Sequence, residues 1–84
     1  MGLIRQGVLK SSGKSIESKV PTREDGSIRD ILTTESSILD LELPSECILE
    51  FDDRSHRVEV TDILTVLAES GDIAGYRLVF QLIN

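Results

Sequence analysis

The sequence predicts an all-β fold: a small β-barrel or sandwich with an extended N-proximal loop or hairpin arm. Three observations predict it. Apolar and polar residues alternate over short runs, most clearly in Tyr76-Arg-Leu-Val-Phe-Gln-Leu82, where Tyr76, Leu78, Phe80 and Leu82 share one face and Arg77 and Gln81 the other. A period of two is the signature of a strand. Turn residues punctuate these runs at short intervals, as strands joined into a small barrel require. Finally, the 84 residues include no Trp, one Tyr and two Phe, so Ile, Leu and Val must fill a thin core.

Taken in order, Leu3-Ile-Arg-Gln-Gly-Val-Leu9 reads as a first strand and Lys10 to Gly13 as a polar turn. Lys14 to Val20 continues as a second strand with only Ile16 and Val20 apolar, and Pro21-Thr-Arg-Glu-Asp-Gly-Ser27 is a loop with a turn at Asp25-Gly26. So few anchoring groups lie between residues 10 and 27 that this stretch reads as an arm or long hairpin, ordered by contact with something else. Residues 28–84 then form the barrel body, all within a single domain of 1–84.

Ile28 to Ile38 is open between helix and strand, because Ile28, Ile31 and Leu32 suit helical spacing while Thr33-Thr34 favours strand. Leu39, Leu41 and Leu43 alternate with Asp40 and Glu42, which predicts a half-buried strand ended by Pro44. Ile48 to Phe51 and His56 to Val60 form a hairpin over the loop Asp52-Asp-Arg-Ser55, with Val58 and Val60 on one side. Ile63 to Ala68 extends that strand or makes one helical turn. Glu69-Ser-Gly-Asp-Ile-Ala-Gly75 is a connection before the final strand, and Val79 on its polar side implies partial cover there.

Charge is divided along the chain. Residues 1–29 carry six basic groups (Arg5, Lys10, Lys14, Lys19, Arg23, Arg29) and three acidic ones, whereas residues 30–84 carry three basic and twelve acidic groups. Identical subunits packing head to tail would use such a division, which makes Lys10, Lys14, Lys19, Arg23 and Arg29 the candidate contacts with a partner or neighbouring subunit. An acidic body with no basic, aromatic-laced stripe argues against specific nucleic-acid binding.

The lone Cys47 forms no internal disulfide and suits a reduced, cytoplasmic setting. No leader-like apolar segment and no membrane-length apolar run is present, so a soluble, unanchored chain is expected. After Met1-Gly2, a myristoylation signal would want Ser or Thr where Gln6 stands.

No motif for catalysis, metal or cofactor survives inspection. Gly7-Val-Leu-Lys-Ser-Ser-Gly13-Lys14-Ser15 has five residues between its glycines where a phosphate-binding loop needs four, and Pro21 leaves no room for the helix that must follow. His56 with Asp52 and Asp53 lacks the spaced ligands of a metal site. Cys47 and His56 form the one conceivable nucleophile–base pair, without an orienting third group. Not an enzyme is the expectation.

The pattern Leu41-Glu-Leu-Pro44, Ile48-Leu-Glu-Phe51, Val58-Glu-Val60-Thr-Asp-Ile63 and Gly75-Tyr-Arg-Leu-Val-Phe80, with Ile4-Arg-Gln-Gly-Val-Leu9 before it, resembles the head-closure (head–tail joining) proteins of tailed bacteriophages. It departs from them in having Ser45-Glu46 in place of a Gly-Asp and His56 where an aromatic is common. That resemblance implies a structural virion protein, assembled in the host cytoplasm. It would form a homo-oligomeric ring between portal or adaptor and tail, with DNA passing through. The later strands also read like a PilZ-type cyclic-dinucleotide receptor, but Arg23 and Arg29 are wrongly spaced for its arginine arm and Asp30-Ile-Leu-Thr-Thr-Glu35 lacks its Ser and Gly. A third possibility is a small acidic inhibitor that occupies the nucleic-acid site of a host protein.

Overall fold

The barrel is built from hairpins whose turns are set by the local sequence. A computed structural model describes residues 3–83; the Met1-Gly2 reading lies outside them. Strand β1 (Ile4–Ser11) turns through Ser12-Gly13 into β2 (Lys14–Pro21), and the two pair along their full length from Ile4↔Pro21 to Ser11↔Lys14. Both turn residues have positive φ, 47° and 80°. That is the geometry of a two-residue hairpin turn whose twist matches its strands.

A loop stabilised by Arg23 Nη1 donating to the Ile28 carbonyl at 2.9 Å leads to β3 (Leu32–Thr33), and a five-residue 3₁₀ segment (Ser36–Asp40) follows. Strand β4 (Ser45–Phe51) then turns into β5 (Arg54–Leu67), which turns into β6 (Ile73–Leu82). All pairings are antiparallel, in the closed order β1-β2-β3-β6-β5-β4, with β4 returning to β1. The small all-β barrel is thereby established.

Alternation decides what goes inside. Leu9, Ile16, Val20, Cys47, Leu49, Phe51, Val58, Val60, Tyr76 and Leu78 point into one buried cluster, joined by Ile28, Ile31 and Ile38 from the connections. Val58 and Val60 do share a face, as their spacing predicts. At the β1–β4 seam, Gly7 lies so close that a Cβ there would sit 3.0 Å from the Glu50 carbonyl oxygen and the Val20 side chain.

Several expectations need correction. Residues 10–27 are not an arm apart from the barrel: β2 is one of its staves, and Ile16, Ser18 and Val20 are buried. Two apolar residues sufficed because each lands in the core at strand spacing. Leu39 to Leu43 is not a strand. Ile38, fully buried, plugs the barrel end from the 3₁₀ turn, while Leu39 and Leu43 are exposed. This segment crosses the end of the barrel, so it has no strand edge to pair with.

The open question over residues 28–38 resolves into a two-residue strand and a 3₁₀ turn. The β4–β5 loop is shorter than expected, only Asp52-Asp53, both at positive φ (52° and 60°). Ile73 to Gly75 belong to β6, leaving residues 68–72 as the connection. Leu82 is exposed at the end of its strand, and Val79 is also exposed, without cover.

Candidate interaction surface

Strands β5 and β6 outrun the barrel that supports them. β5 pairs with β4 only as far as Val60↔Ser45, and β3 covers β6 only at Arg77 and Tyr76. Past Val60 the two strands go on pairing from Asp62↔Val79 to Leu67↔Ile73, with bulges at Val60/Asp62 and Val66/Leu67. There β5 has no other partner and β6 none beyond Tyr76, so among the described residues Val66↔Gly75 and Leu67↔Ile73 pair with each other alone. The result is a two-stranded ribbon. Ile63, Tyr76 and Leu78 at its foot pack on the core, whereas Leu64 is 39 % exposed, Val66 40 %, Leu67 61 % and Ile73 60 %. An isolated two-stranded ribbon is marginal in water, and an open, apolar edge is a template for pairing.

At the foot of the ribbon the sheet splits around the short β3. A groove of about 290 Å³ opens there, lined by Gln6, Glu17 and Lys19 on one side, Leu32 and Thr34 at its floor, and Val66 and Ala74 on the other. One transverse row, Lys19↔Leu32↔Arg77↔Leu64, runs across four strands at the end farther from the ribbon tip. Directly paired residues share a face, so both cations of this row stand on the outer surface beside the leucines.

On the β2 side the groove wall is tied by side chains. Thr33 Oγ1 donates to the Glu17 carbonyl at 2.7 Å, and the Glu17 amide donates to the Glu35 carboxylate.

The five candidate basic contacts fall into two groups. Lys10 pairs with Glu50 at 2.9 Å and Lys14 with Asp40 at 3.9 Å, while Arg23 is held on the Ile28 carbonyl. Arg5 similarly meets Asp52 at 3.2 Å, so much of the basic first third is neutralised by the acidic body of its own chain. Lys19 and Arg29 have no ion pair among the described residues. Of the five, Lys19 alone lines the groove.

Of the two readings of Ile63 to Ala68, the structure takes the extended strand, as far as Leu67; what the sequence does not reveal is the ribbon it forms with β6 past the barrel. Its residues Thr61-Asp-Ile-Leu-Thr-Val-Leu67 are apolar on both faces, a signal legible as a strand without a single buried side.

The other candidates do not converge. Cys47 is buried opposite Val58, whereas His56 lies opposite Leu49 and stacks on Phe51 with ring centroids 5.0 Å apart. The His56 Nε2 is buried without a hydrogen-bond partner. Among the described residues no three His, Cys, Asp or Glu side chains are grouped to hold a metal ion, and no helix is long and apolar enough to cross a membrane. In the loop ahead of β3, the Ser27 hydroxyl and then its amide donate to Asp25 Oδ1 at 2.6 and 2.9 Å, and together they hold that carboxyl below its ordinary value. Comparison of the chain with known protein families, with curated proteins and with solved structures finds no match.

Proposed function

We propose that this protein works by contact, as a structural component of a tailed-phage virion that assembles into a ring at the head–tail junction. The observation that carries this reading is the ribbon, whose Leu64, Val66, Leu67 and Ile73 are left exposed by its own barrel. Burying such a surface against another subunit returns stability that a thin, unstapled core lacks. The protein is not an enzyme in this reading. It seals the DNA channel and offers the tail a docking surface, and carboxylates of the acidic body that face the channel repel DNA and let it slide. The reading also draws on the strand pattern shared with head-closure proteins.

Native mass spectrometry of the concentrated protein and electron microscopy of the virion test it. A ring, and its density between portal and tail, are expected; a protein that stays monomeric and is absent from any particle ends the idea. Salt-sensitive recovery of one basic host protein in a pull-down would instead favour the acidic inhibitor. Against that alternative, Asp40, Glu46, Glu50 and Asp52 of the body are already engaged by cations of the same chain.

A further inference from the structure

The ribbon and groove form a charge-graded surface that is complementary to itself. The ribbon tip carries Glu69 and Asp72 and no cation between Ala68 and Ala74. The Glu69 carboxylate makes no hydrogen bond or ion pair among the described residues, and the Asp72 carboxylate is met only by the neighbouring Ser70 hydroxyl at 3.0 Å. From Leu64 the ribbon runs four residues to its turn, roughly 13 Å at strand rise, past the exposed Val66 and Leu67.

At its foot stand Lys19, without an ion pair among the described residues, and Arg77, whose side chain is 53 % exposed and reaches Asp30 only through Nε at 3.8 Å. Acid therefore lies at one end of an apolar stretch and base at the other. Glu17 and Glu35 belong to the groove's opposite end, toward the ribbon's own tip. An incoming acidic tip is repelled there and attracted only to the Lys19–Arg77 row.

We infer that the occupant of the groove is the ribbon of a second copy of this chain, laid antiparallel, with Glu69 and Asp72 of each copy on the Lys19–Leu32–Arg77 row of the other. The inference rests on the self-assembly reading above and specifies its interface. An antiparallel contact of this kind is reciprocal: one docking event seats two tips on two cation rows and packs Leu64 and Val66 of each copy against the other. A ring then arises from such pairs through a second interface, and the number of copies is even.

Two charge-reversed variants test this, Glu69→Lys/Asp72→Lys at the tip and Lys19→Glu/Arg77→Glu at the row. Each is followed by sedimentation velocity and native mass spectrometry, and circular dichroism verifies the fold. All four positions are exposed, so both variants fold. Wild type is expected to pair, and to pair more weakly as salt is raised. Each variant alone should associate at least about tenfold more weakly, since it sets like charges together. An equimolar mixture should restore association, because each reversed tip then meets a reversed row.

Variants that associate like wild type, or a mixture that stays dissociated, overturn this interface while leaving the ring reading to stand on another. A wild-type chain that is monomeric at every concentration overturns both.

Discussion

Replacing Gly75 by Ala sets two opposed effects against each other, and the structure decides between them. From sequence, an alanine in a strand is an improvement, because it removes chain entropy from the unfolded state. That gain is about 0.4–1 kcal/mol where the native backbone accepts a side chain. Gly75 has no left-handed conformation to protect, so nothing local opposes the exchange. The opposition comes from across the sheet: a Cβ at this position would lie 2.9 Å from the Thr33 carbonyl oxygen, a backbone atom of β3. Since β3 is two residues long and is the only strand joining β2 to β6, it must move as a whole to make room.

Overpacking of this kind costs about 1–3 kcal/mol. Net destabilisation is therefore between about 0 and 2.6 kcal/mol, which corresponds to a fall in Tm of up to about 20 °C for a domain of this size. Urea titration and a thermal melt measure it. A Gly75→Ala protein at least as stable as wild type refutes the claim that close approach of β3 dictates glycine here.

Three further outcomes follow from single residues. Asp53 occupies the second position of a two-residue turn at φ 60°, where a non-glycine residue bears a left-handed penalty of about 1–2 kcal/mol; Asp53→Gly should raise the urea midpoint, and an unchanged or lower midpoint would contradict the turn assignment. Leu49 is fully buried at the centre of the core, so Leu49→Ala should cost about 2–5 kcal/mol, read from the same titration, and a loss below about 1 kcal/mol would remove it from the core. The Asp25 carboxyl, held below its ordinary value of 3.8 by the Ser27 hydroxyl and amide, supports its loop above the ordinary Asp range and loses that support as pH falls through the lowered value. An NMR titration should show the depressed midpoint and its partial return in Ser27→Ala; equal midpoints in the two proteins would deny the hydroxyl its role.

How much of this was legible in the sequence varies by element, for a physical reason. Period-two alternation and compact turns are local, so the final strand, the Cys47–Phe51 and His56–Val60 hairpin and the turn before Lys14 could be read directly. Where packing is non-local the same signals mislead. Leu39, Leu41 and Leu43 alternate like a strand, yet the stretch spans the barrel end, and the buried anchor is Ile38. Residues 14–20 look too polar to be held, but Ile16 and Val20 both reach the core from one face of β2. The basic residues were legible as a charge bias only. Which of them are neutralised by the body, and which one lines the groove, depends on cross-strand register that no local pattern encodes.

The short β3 explains why the interaction surface lies where it does. A barrel of this size must close with few hydrogen-bonded rungs, and here the last seam is closed by one pair on β2 and two on β6. Above that seam two edges are exposed. The β2 edge is satisfied internally, by the Thr33 hydroxyl and the Glu35 carboxylate on the two backbone groups of Glu17. On the β5–β6 ribbon such treatment is confined to the foot, where the Ile63 amide donates to Asp62 Oδ1 at 2.8 Å and Thr61 Oγ1 donates to the Val79 carbonyl at 3.2 Å. Proteins usually blunt a free edge with lysine, proline or bulges; this ribbon has two bulges and the single Asp62 on β5, but neither lysine nor proline between Thr61 and Gly75. One edge is thus closed by the chain's own side chains and the other left open beside an apolar, charge-graded groove. A chain that seals the first edge with its own side chains and leaves the outer part of the second bare gains nothing from the asymmetry as a monomer, and gains an interface if the second edge is where another subunit docks.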